Sequence, residues 1–89
     1  MASIRSLKKL INLELALVID ECYEILLADP KKEKDLEPVI DDAVNLFDDL
    51  IDRVNSYEGE ESKNVYFKKI EVKLAEGVSQ LKNKMNQLG

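Results

Sequence analysis

The 89-residue chain contains no histidine and no tryptophan, one cysteine, two prolines and three glycines. Each shortage removes something. Without histidine, the zinc, haem and triad chemistries lose their commonest ligand or base. A lone Cys22 cannot close a disulfide within the chain. A secreted domain of this size usually carries paired cysteines to compensate for its small core, so the expected compartment is a reducing, cytoplasmic one. The three tyrosines and two phenylalanines are not interleaved with bases and offer no stacking platform for nucleotides. With 13 Lys and Arg against 18 Asp and Glu, the net charge of -5 also argues against a phosphate-backbone partner. Long apolar runs are missing too. Leu10 to Ile19 follows the basic Arg5, Lys8 and Lys9 in the manner of a signal peptide, but Asn12 and Glu14 interrupt it and no small-x-small cleavage site follows. Neither a signal peptide nor a membrane span, which needs about 18 apolar residues or more, is expected.

What remains is 45 % hydrophobic and 35 % charged, enough for one core and a soluble surface. The few glycines and prolines fall where breaks are needed, and they divide a single domain, 1–89, into three helical segments. In the first, from about Ser3 to Ala28, Ile4, Leu7, Ile11, Leu15, Val18, Cys22 and Ile25 recur at spacings of three and four. Ser3 or Ser6 is placed to cap it, and Asp29-Pro30 closes it, because the residue before proline is pushed out of the helical region. Lys31 to Lys34 reads as a loop or a single turn. Asp35 is the expected cap of the second segment, with Pro38 in its first turn. Its seam is Leu36, Ile40, Ala43, Phe47, Leu50, Val54 and Tyr57, and Gly59 is its expected stop.

Ser62, after Glu60 and Glu61, is expected to cap the third segment, whose apolar face is Phe67, Ile70, Leu74, Val78, Leu81, Met85 and Leu88. Gly77 inside it costs about 1 kcal/mol relative to alanine and is read as tolerated rather than as the mark of a close approach. Helices of similar length, each roughly 36 to 40 Å, joined by short loops predict an all-α, up-down-up antiparallel three-helix bundle.

Charge is unevenly divided. Asp35 to Glu58 holds eight acids against one base, whereas Ser62 to Gly89 holds six lysines against two acids. Opposite signs on adjacent antiparallel helices favour their pairing, though an exposed pair contributes at most about 1 kcal/mol. Asp41, Asp48 and Asp52 fall opposite the second seam, where they are solvated or face a basic partner.

Two acidic strings resemble catalytic motifs. Asp48-Asp49-Leu50-Ile51-Asp52 is similar to the DDxxD string with which prenyl-diphosphate synthases hold magnesium against a pyrophosphate, but those enzymes need a large helical cavity and a second acidic motif that 89 residues do not allow. Asp20-Glu21-Cys22-Tyr23-Glu24 followed by Asp49-Leu50-Ile51-Asp52 resembles the EExxE and ExxD pattern of the all-α nucleoside-triphosphate pyrophosphatases of the MazG type. That resemblance implies an oligomeric, magnesium-dependent enzyme with Glu21, Glu24, Asp49 and Asp52 as metal ligands. Helical geometry turns Asp20, Glu24 and Asp52 away from the apolar seams, whereas metal-holding carboxylates in such an enzyme share an inward cleft. Cys22, on the core face and without a cationic neighbour, reads as a small buried apolar residue rather than a nucleophile.

The opening Ser-Ile-Arg-Ser-Leu-Lys-Lys-Leu-Ile-Asn and the acidic second segment resemble small all-helical bacterial proteins to which no activity is assigned. One feature exceeds the needs of a bundle. The first helix carries a second stripe, Leu10, Leu13 and Leu17, roughly 80 to 120° around from the first. Either this helix is simply the most central of a monomer, or the stripe is covered by protein. The expectation is a non-enzymatic interaction module without cofactor or metal: a homodimer or hetero-complex centred on Leu10, Leu13 and Leu17, with Val65 and Val72 of the third helix as secondary contacts.

Overall fold

The computed structural model describes residues 4–59 and 62–88. Ser3, one candidate cap, lies outside the described residues, as do Glu60 and Glu61. The chain forms three long helices and, among the described residues, no strand: α1, Ile4–Ala28; a short 3-10 turn, Pro30–Lys32; α2, Glu33–Asn55; and α3, Lys63–Leu88. All three pairs of helices touch, giving an antiparallel bundle with extents of 47 × 18 × 17 Å. No helix among the described residues is long and apolar enough to cross a membrane.

The buried side chains are the ones that a 3.6-residue period puts on one face. From α1 come Leu7, Ile11, Leu15, Val18 and Cys22; from α2 Leu36, Val39, Ala43, Leu50 and Val54; from α3 Phe67, Ile70, Leu74, Val78, Leu81 and Met85. None of these is charged, and among the described residues no buried side-chain nitrogen or oxygen lacks a partner. Val39 enters the core where the seam expectation had Ile40, which with Phe47 is only half-buried against it.

The junctions differ from expectation in instructive ways. Asp29 ends α1, but it also caps the 3-10 turn: its backbone N–H donates to the Ile25 carbonyl at 2.8 Å and its carboxylate accepts from the Lys31 N–H at 3.2 Å. The tight turn runs straight into α2, which therefore begins at Glu33, not after Asp35; Asp35 lies in the first turn beside Glu33, where carboxylates complement the positive end of the helix dipole. Pro38 is consequently inside the helix. It is exposed, so the Lys34 carbonyl that it leaves unpaired can turn to water. At its other end α2 stops at Asn55, and Ser56 closes it with both its backbone N–H and its hydroxyl on the last carbonyls, the hydroxyl 2.7 Å from the Asp52 oxygen. Gly59 does adopt the left-handed φ of +82°, but within the loop beyond the helix end. Tyr57 leaves the helix and packs with Tyr66 and Phe67, ring centroids 5.1 and 5.7 Å away, while the Tyr66 hydroxyl donates to the Arg53 carbonyl at 2.6 Å. At the opposite end the Lys32 ammonium donates to the Leu88 carbonyl.

Gly77 is a close approach after all. A Cβ there would collide with Leu46 Cδ2 of α2 and stand 3.2 Å from Leu46 Cδ1. Alanine at this position would gain about 1 kcal/mol of helix propensity and spend part of it moving a leucine tip. Chemical denaturation should show Gly77→Ala stabilising a Leu46→Ala background by about 1 kcal/mol and the parent by clearly less; equal effects in both backgrounds would mean that the two residues do not touch.

Candidate functional site

α1 is the most apolar of the three helices, and its apolar side chains spread well beyond the face it buries. Here it packs on α2 along one flank and α3 along the other, and what is left over faces solvent. Leu10, Leu13 and Leu17 are 37, 56 and 49 % exposed, and Tyr23 and Leu27 further along the helix are also exposed. Leu13 turns further out than its two companions, about 150° from the centre of the buried face at ~100° per residue. On the opposite flank Asn12, Leu15, Ala16 and Ile19 join Ala43, Val44 and Phe47 of α2 in a shallow open groove of about 200 Å³. Sequence reading did not anticipate this groove. The signal lay in Ala16 and Ile19, at helical spacing from Asn12 and Tyr23.

The two valines expected as secondary contacts lie on a surface of α3. Val65 and Val72 are exposed on α3 and line a shallow patch with Lys68, Lys69 and Lys73, to which no α1 side chain contributes. The charge difference between α2 and α3 is realised in a cross-helix pair, Lys84 Nζ to Asp42 at 2.7 Å, with both side chains about half exposed. Asp41, Asp48 and Asp52 project into solvent.

The carboxylates of the pyrophosphatase-like pattern do not assemble. Glu21, Glu24, Asp49 and Asp52 are all exposed, and Asp49 accepts from Arg53 Nε at 3.0 Å, one turn on along α2. Among the described residues no group of three or more acidic or cysteine side chains is placed to hold a metal ion. Cys22 is fully buried with its Sγ 3.4 Å from Met85 Sδ. Burial first, and the nearby Glu21 carboxylate second, push its thiol up from the ordinary value of 9.0. The chain matches no family model, no curated protein and no solved structure.

A buried thiol held in its neutral form should behave as core, not as a reagent. Alkylation of Cys22 by iodoacetamide at neutral pH should be at least about a hundredfold slower in the folded chain than in denaturant. The raised folded-state value also means that the unfolded chain releases its thiol proton first. Stability contributed by Cys22 is full below its ordinary value and falls as pH rises through it towards the folded-state value. Cys22→Ala should remove that part of the alkaline loss, and a thiol that reacts equally fast folded and unfolded would contradict its burial.

Proposed function

We propose that the chain is a non-enzymatic, cytoplasmic protein-interaction module that self-associates through α1. The observation that supports this reading is the exposure of Leu10, Leu13 and Leu17 in the centre of a helix whose opposite face already fills the core. Covering a leucine side chain contributes about 1.5 to 3 kcal/mol before the entropic cost of association, so three of them on one helix give a worthwhile contact. The metal-dependent reading has no comparable support, because its four carboxylates are exposed on two helices and one is already engaged by Arg53.

Light scattering at micromolar concentration should give the parent a mass above the 10.2 kDa of one chain, and Leu13→Glu that of a single chain with unchanged helicity. A parent that stays at one chain's mass removes the self-associating form of the proposal. Pyrophosphate release from a nucleoside triphosphate with magnesium, lost in Asp52→Ala, would overturn the non-enzymatic reading altogether.

A further inference from the structure

The outward face of α1 carries a pattern of its own. Lys9, Leu13, Ala16, Asp20, Tyr23 and Leu27 recur at spacings of four, three, four, three and four, the rhythm of a helix that packs lengthwise on another helix. At ~100° per residue all six lie within about 60° of the direction opposite the buried face. All are exposed, so none of the described residues covers this side, and only Ala16 at its edge also borders the groove against α2. The first four are arranged symmetrically: Lys9 and Asp20 stand equally far from the point between residues 14 and 15, about 8 Å on either side at ~1.5 Å per residue, and Leu13 and Ala16 stand equally close to it. None of the bases or acids of this helix has an ion-pair partner among the described residues.

We infer that the occupant of this face is a second copy of the chain, its α1 lying antiparallel to the first across a two-fold axis between residues 14 and 15. The inference rests on the proposed self-association through α1 and adds its axis, direction and register. In this register Leu13 of each copy sits on Ala16 of the other, a large side chain over a small one, and Lys9 of each meets Asp20 of the other. Leu10 and Leu17 share one flank of the seam and approach their counterparts there, since antiparallel helices bring equivalent flanks together. Tyr23 reaches over Ser6. The charges choose this arrangement over its competitors. A parallel, in-register pair sets Lys9 against Lys9 and Asp20 against Asp20. An antiparallel pair shifted by one heptad sets Asp20 on Ala16 and Lys9 against Leu27, leaving both charges unpaired. Antiparallel packing also opposes the two helix dipoles.

The experiment is sedimentation equilibrium of the whole chain, as parent, Lys9→Glu, Asp20→Lys and the double charge exchange, at low and high salt. All three variants alter exposed residues, and circular dichroism of each checks that it remains helical. Because the axis places each pair in the interface twice, either single reversal should weaken the dimer about tenfold, and the double exchange should return it to within about threefold of the parent. High salt should weaken the parent and the double exchange alike. Failure of the double exchange to restore association, in a parent whose dimer is lost on Leu13→Glu, overturns this register while the α1 binding surface stands. A parent that remains a single chain up to about 100 µM overturns the second copy as occupant; the α1 surface is then judged separately, by whether a partner captured from the cell is lost on Leu13→Glu.

Discussion

Every buried side chain described in this bundle is apolar, and that dryness is the condition on which the rest of the architecture depends. Apolar burial drives association but is indifferent to which helix meets which, or in what register. Selection of one arrangement must therefore come from shape and from the rim. For α2 and α3 it comes from several places along their length: the Tyr66 hydroxyl on the Arg53 carbonyl near one end, Leu46 in the notch at Gly77, Asp42 with Lys84, and Lys32 on the Leu88 carbonyl at the other end. None of these contacts is strong, since most are exposed to water. Their value is that the correct alignment satisfies all of them together and a slipped one satisfies none.

α1 is held differently. Its contribution to the core is as large as that of α2, but its link to α3 through Cys22 and Met85 is a soft sulfur contact in an apolar setting. Of the three helices it is the one that relies most on greasy packing, and it has more apolar surface than two neighbours can cover. Rim polarity on α2 and α3 and apolarity on α1 divide the labour of the fold: one pair of helices fixes the alignment, and the third adds apolar burial on its inner side while keeping leucines exposed on its outer one.

How far the sequence could be read follows from the same division. The seam of α3 was legible residue by residue, from Phe67 to Met85, because nothing competes with the 3.6-residue period there. The core stripe of α1 was legible from Leu7 to Cys22, whereas Ile4 at the start of the helix is exposed and Ile25 only half-buried. The expected seam of α2 holds at Leu36, Ala43, Leu50 and Val54 and differs at Ile40, which yields its place to Val39, because a helix packed on two others buries a broad face and a strict heptad describes only its centre line. The junctions were least legible. Asp35, Pro38 and Gly59 each have strong local preferences, yet the tight turn launched by Asp29 and the aromatic cluster of Tyr57, Tyr66 and Phe67 moved the helix ends away from them. Gly77 was misread because a glycine's neighbour lies 31 residues away, at Leu46, where no local pattern points to it. The outer face of α1 was half legible: leucines announced it, but the matched spacing of Lys9 and Asp20 about residues 14 and 15 gains meaning only once the described residues leave that side uncovered.

A body only 18 × 17 Å across has almost no interior. Three helices, each about 10 Å in diameter, share one core and leave no room for a second layer. The longest continuous surface of so slender a rod is its flank, 47 Å from end to end, so its outline is defined by length and spacing along a stave rather than by the contour of a chamber.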